Sequence, residues 1–117
     1  AIRTELRLVG PRPDISPNAA LQLFRVVQEA LANVRKHAQA EVVRVGVDSS
    51  GEDYLEVIVA DNGLGFDVAE ASTNPRAVGL LSMRERMSSL GGSCTLASTP
   101  GRGTRVTMSI PLGAQGR

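Results

Sequence analysis

The chain has 117 residues with 42% hydrophobic content, enough for one folded domain with a real core and too few for two. Thirteen basic against 12 acidic residues leave a formal charge of +1, and aromatics are only 3%, so neither a polyanion footprint nor base-stacking platforms point to nucleic acid. No apolar run is long enough to span a bilayer, and the single cysteine, Cys94, excludes an internal disulfide and fits a reducing, cytoplasmic setting.

Ile2, Leu6 and Leu8 alternate with Arg3, Glu5 and Arg7, the period of a half-buried strand, and Gly10-Pro11-Arg12-Pro13 ends it. Because Ala1 already lies inside that pattern, the sequence reads as a piece of a longer protein. Ser16-Pro17 then reads as an N-cap followed by proline in the first helical position. From there to about Ala38 the period becomes helical, with Ala20, Leu23, Phe24, Val27, Leu31, Val34 and Ala38 on one apolar stripe.

Glu41 to Asp48 alternates again, with Val43, Val45 and Val47 on one side and Arg44 and Gly46 on the other. A hairpin loop, 49–53, leads into Tyr54-Leu55-Glu56-Val57-Ile58-Val59-Ala60, a short β-branched run that predicts a buried strand. Asp67 to Ala77 is polar and long for a simple connection, which suggests a mobile loop with a function. Gly79 is expected to open a second helix with Leu80, Met83, Met87 and Leu90 on one face, stopped by Gly91-Gly92. Ser93 to Ser98 and Thr104 to Ile110 complete the strands, and residues 113–117 read as a disordered tail after a domain of residues 1–112. The order β, α, β, β, loop, α, β, β makes an α+β protein. It predicts a two-layer α/β sandwich with a mixed, largely antiparallel sheet and both helices on one face.

Some polar residues are not explained by a core. Glu29, Asn33 and His37 recur at i, i+4 and i+8 on the first helix, away from its apolar stripe, with Lys36 beside them. A solvated face and a site for a metal and a phosphate both fit that spacing; carboxylate and amide oxygens suit Mg²⁺. Asp61-Asn62-Gly63-Leu64-Gly65-Phe66 places a carboxylate and two glycines at the end of the apolar strand, as a tight turn or a ligand site would. Gly79, at an expected helix start, would offer free N–H groups to a phosphate. Gly101 and Gly103 mark a further turn, and no GxxxxGK[ST] is present.

These segments together resemble the nucleotide-binding boxes of the GHKL ATPases, the superfamily of DNA gyrase B, the HSP90 chaperones, MutL and the histidine kinases. Val27 to Ala38 resembles the N box, Asp61 to Phe66 the G1 box, Gly79-Leu80 the G2 position, and Gly101-Arg102-Gly103-Thr104 the last glycine-rich box. The run Gly79 to Met87 with Leu90-Gly91-Gly92 is similar to sensor histidine kinases of the NarL/DesK type.

The resemblance implies a Bergerat-type fold and an ATP-binding catalytic domain that passes the γ-phosphoryl group to a histidine. It implies that Asp61 accepts from the adenine amine with Thr104 assisting, that Asn33 ligates Mg²⁺, and that Glu29 acts catalytically near the γ-phosphate. Lys36 and His37 would flank the phosphates. Gly63, Gly65, Gly101 and Gly103 would let the chain pass close to the nucleotide, with Gly79 and Leu80 at the lid end. It further implies a homodimeric parent, in some cases membrane-anchored, with a dimerisation domain carrying the acceptor histidine and a downstream response regulator. The present chain would then be monomeric, binding ATP without phosphorylating itself. The same boxes also occur in serine kinases of the anti-sigma-factor kind, and a nucleotide-binding module without catalysis is a third reading.

Overall fold

Ser16 sets the start of the first helix. It holds an extended conformation, its Oγ accepts from the Ala19 N–H at 3.1 Å, and Pro17 takes the first helical position, where a missing N–H costs nothing. The computed structural model describes residues 2–51, 53–69 and 75–112, so the expected tail at 113–117 lies outside the described residues. Helix α1 runs Pro17–Asn33 and continues into a single π-helical turn, Val34–Ala38, closed by Gln39 in the left-handed region (φ 51°).

The strands are β1 (Arg3–Val9), β2 (Val42–Asp48), β3 (Tyr54–Asp61), β4 (Ser93–Ser98) and β5 (Thr104–Pro111), and α2 spans Pro75–Ser88. They form one sheet in the order β1-β2-β3-β5-β4, antiparallel except for β1 and β2. That one parallel pair follows from connectivity, because α1 is the crossover between β1 and β2. Both helices lie on one face, giving the mixed two-layer sandwich that the sequence implied.

In β3, Leu55, Val57, Val59 and Asp61 point to the helix layer, and across the register Val106, Met108 and Ile110 of β5 share that face. Helix α2 buries Leu80, Met83 and Met87, with Leu90 just beyond it, as its spacing predicts. It ends through Gly91 (φ 73°), whose neighbour Gly92 donates its N–H to the Met87 carbonyl at 2.9 Å.

Three expectations need correction. Helix α2 begins at Pro75, not Gly79: a proline is tolerated at the first helical position, so the helix extends four residues into what reads as loop. The core stripe of α1 is centred on Ala19, Val26 and Ala30, whereas Ala20 is exposed and Phe24 is 61% exposed. The small alanines let the helix sit close to its neighbours, and the bulky residues fall on a flank. Leu6 and Leu8 face the helix side as the alternation requires, yet are 65% and 69% exposed because β1 is the sheet edge and no helix covers it.

Cys94 is buried in β4, and burial pushes its thiol above the usual range. The folded chain therefore holds the proton more tightly than the unfolded one, so stability falls as pH rises through the thiol's unfolded value. Alkylation by iodoacetamide at pH 8.5 should be slow in buffer and as fast as a free thiol in urea; equal rates would mean that Cys94 is accessible.

Candidate functional site

The sheet end where β3 meets β5 carries the first group of candidates. Asp61 and Thr104 are register partners on the helix-facing side, 9% and 3% exposed, and Ser98 of β4 is the register partner of Thr104. The Gly63 N–H donates to Asp61 Oδ1 at 2.8 Å, which fixes the carboxylate's orientation. The Thr104 and Ser98 hydroxyls are hydrogen-bonded at 2.9 Å, and Ser98 Oγ also accepts from the Phe66 N–H at 2.9 Å and donates to the Gly103 carbonyl at 3.0 Å. Three strands and the loop after β3 are thus pinned at one point.

That loop is built by close backbone packing. A Cβ on Gly63 would collide with the Ala38 carbonyl oxygen, and one on Gly103 with the Asp61 carbonyl oxygen. Gly65 (φ 63°) turns the chain under the Thr99 carbonyl, and the Leu64 carbonyl accepts from the Gly101 N–H at 2.6 Å. Asn62 turns back to β2: its Oδ1 accepts from the Glu41 and Val42 N–H groups, each at 3.0 Å. These glycines approach protein backbone first, whatever they also allow a ligand.

The second group lies on the helices. Gly79 abuts α1, where a Cβ would stand 2.6 Å from Glu29 Oε1 and 3.7 Å from Asn33 Nδ2. Glu29 and Asn33 therefore present their polar ends to one place beside α2. Among the described residues no cluster of His, Cys, Asp and Glu could hold a metal by itself. An amide and a carboxylate side by side do suit Mg²⁺, which takes one or two protein oxygens and completes its shell from phosphate and water.

The π turn joins the two groups. Ala38, its last residue, accepts the Leu64 N–H at 2.7 Å and packs on Gly63. Lys36 and His37 ride on this turn with exposed side chains. A π turn breaks the α-helical phase after Asn33, so His37 does not continue the Glu29–Asn33 line as i, i+4, i+8 spacing suggests. Starting α2 at Pro75 also draws the Gly79 N–H into the helix ladder; it is not one of the free N–H groups at the helix start. Leu80, 7% exposed, belongs to the core.

Residues 70–74 of the expected lid lie outside the described residues. A groove of about 230 Å³ runs between α1 and α2 along Arg25, Gln28, Glu29 and Arg86, where Arg86 Nη1 donates to Gln22 Oε1 at 2.9 Å. A larger recess of about 410 Å³ at the sheet end is lined by Arg44, Ala60, Ala97 and Arg105 and also by Asp61, Asn62, Ser98, Gly103 and Thr104. The groove adjoins Glu29, and the recess adjoins Asp61 and Thr104.

Sequence reasoning missed Asn62 as a structural tie and Ser98 as the partner of Thr104. A serine in a strand carries no signal of its own; only the β4–β5 register puts it beside Thr104.

A two-layer sandwich with a buried Asp at one sheet end and an Asn–Glu pair beside a glycine is the arrangement that the resemblance to the GHKL ATPases implies. The chain belongs to the histidine kinase-, DNA gyrase B-, and HSP90-like ATPase family, whose pattern matches residues 18–114. It is 34% identical over 114 residues to the signal transduction histidine-protein kinase/phosphatase DegS of Bacillus subtilis, covering 95% of this chain and 29% of that protein. It is 39% identical over 100 residues to the sensor histidine kinase LiaS of the same species, covering 84% and 26%. The chain thus spans less than a third of the length of these relatives. Among solved structures it is similar to the histidine kinase domain of the Erythrobacter litoralis EL346 blue-light activated histidine kinase. The TM-score is 0.76 at 23% identity, covering 97% of this chain and 57% of that one.

Proposed function

We propose that this chain is the ATP-binding catalytic domain of a two-component sensor histidine kinase, delivering the ATP γ-phosphoryl group to a histidine on a dimerisation domain of its parent protein. A response regulator would receive the group next. The observation that carries this reading is the convergence of Glu29 and Asn33 on Gly79, joined through the π turn to a buried, orientation-locked Asp61. Family membership supplies the nucleotide, and relatives named as sensor kinases supply the acceptor class.

On this reading Asp61 accepts from the adenine amine, with Thr104 held beside it by Ser98. Asn33 offers its amide oxygen to Mg²⁺, whose charge, when bound, neutralises the phosphates. Glu29 takes the proton from the attacking histidine nitrogen or orients it, while Lys36 and His37 flank the phosphates. Phosphoryl transfer asks the protein for positioning and charge neutralisation more than covalent help, and this residue set supplies both. The parent acts as a cytoplasmic-facing homodimer.

Transfer needs an acceptor nitrogen in line with the γ-phosphate at near-attack distance. His37 sits on the π turn next to the site and is tethered to Gly63 through Ala38, so it cannot approach from the far side. The chain incubated alone with γ-labelled ATP should bind nucleotide and take up no stable label. Adding the parent's dimerisation domain should restore transfer, to a histidine of that domain, as an acid-labile phosphate. Label on His37, acid-stable label on serine, or turnover like that of a dedicated ATPase would each place the chain in another branch of the family.

A further inference from the structure

The flank of α1 opposite the nucleotide groups is apolar and uncovered. Taking about 100° per residue, Gln22, Glu29 and Asn33 lie on the side that meets α2, and Phe24, Val27 and Leu31 lie on the other. Since α2 packs over β4 and β5 and α1 over β3, that other flank faces β1 and β2. Leu6 and Leu8 stand there on the helix-facing side, in register with Val45 and Val47. Leu6, Leu8 and Phe24 are each more than 60% exposed, so this is no part of the core. Val27, Leu31 and Val45 are half-buried beneath them.

The dimensions suit one more helix. Strands lie about 4.8 Å apart, so β1 and the half-covered β2, whose Val43 is buried, leave up to roughly 10 Å of sheet open at the edge, close to one interhelical spacing of about 8–10 Å. The wall is itself a helical ridge at i, i+3 and i+7 (Phe24, Val27, Leu31), the surface into which a second helix packs. Addition of a strand is less suited: Arg3, Glu5 and Arg7 place charge along the free edge of β1, a feature that discourages edge pairing. The chain spans 29% of the length of DegS and 26% of LiaS, so relatives carry ample polypeptide from which such a helix could come.

We propose that the α1–β1 groove seats an amphipathic helix from the part of the same polypeptide outside these 117 residues, with apolar side chains on Leu6, Leu8 and Phe24. The helix completes the helix layer over β1 and β2, on the side away from Glu29 and Asn33. The inference stands on packing and does not depend on the nucleotide reading.

Thiol accessibility tests it. Leu8→Cys and Phe24→Cys are introduced separately into the 117-residue chain and into the full-length parent, and labelled with N-ethylmaleimide under native conditions. Both positions should react rapidly in the short chain and about tenfold or more slowly in the parent, since a seated helix must open locally before the thiol is reached. Arg105→Cys, on the helix-free face, should react alike in both. Equal rates at positions 8 and 24 in chain and parent overturn the proposal. So does protection in the short chain that grows with its concentration, which would assign the groove to a second copy. If a substitution disturbs folding, hydrogen exchange on the unmutated proteins decides: amides of residues 17–27 should be more protected in the parent, and unchanged exchange refutes the seat.

Discussion

Asp61→Asn should lower affinity for ADP by roughly tenfold to a hundredfold while leaving the fold intact. The cause is the locked orientation of the side chain. Oδ1 accepts the Gly63 N–H at 2.8 Å, and an asparagine keeps that bond only by placing its amide oxygen there. Its NH₂ must then occupy the position of Oδ2 and meets the adenine amine donor to donor. Rotating the amide instead sets NH₂ against the Gly63 N–H, so one pair of buried donors is unsatisfied either way. Such a group costs roughly 1–3 kcal/mol, and about 1.4 kcal/mol is tenfold in affinity. Titration calorimetry with ADP and urea unfolding of the same variant separate binding from stability. Unchanged affinity would remove Asp61 from the adenine site; a large loss of stability would make it a structural residue.

Gly63→Ala should cost about 3 kcal/mol or more of stability, the range of overpacking that a site cannot relieve. The added methyl meets the carbonyl and Cβ of Ala38, backbone that is held on one side by the π turn and on the other by the Leu64 N–H. No flexible side chain can move aside. Against a total of roughly 5–15 kcal/mol for a domain, that is a large share of the stability and should lower the urea midpoint clearly. Gly46→Ala is the counterpart. Gly46 lies within β2 with nothing within 4 Å of its added Cβ and no positive φ, so the substitution should be neutral or gain up to about 1 kcal/mol. Similar urea midpoints for the two variants would show that the 38–63 approach is not rigid.

What the sequence revealed and what it hid divide along physical lines. Periodicity names the face a residue points to, and it placed every strand and both helices in order. It does not say whether that face is covered: Leu6 and Leu8 alternate as core residues do, and only the position of β1 at the sheet edge exposes them. Pattern reading also weights bulk, so Phe24 drew the α1 stripe toward itself, while the buried residues of the helix are Ala19, Val26 and Ala30, with Leu23, Val27 and Leu31 packed beside them. The start of α2 was hidden because Pro75, read as a loop residue, is equally at home in a first helical turn. Asp61, Gly63, Asn33 and Glu29 stood out as candidates because carboxylate, amide and paired glycines are costly choices for a plain turn or helix. The Ser98–Thr104 pair did not, since tertiary register alone creates it.

The π turn also sets a rule about chain length. It holds one residue more than an α-helical turn would between Asn33 and the end of the helix, and its last residue is docked on Gly63. Deleting any one of residues 34–38 would let the ladder return to α geometry and carry Ala38 about 100° around the axis, off its seat. An insertion there has no regular turn to fall into. The count of residues from Pro17 to the start of β2 is therefore fixed, while the hairpin loop between β2 and β3 can change length. Hybrid kinases assembled from relatives should keep residues 17–48 from a single parent and place their junctions before Ser16 or within that loop.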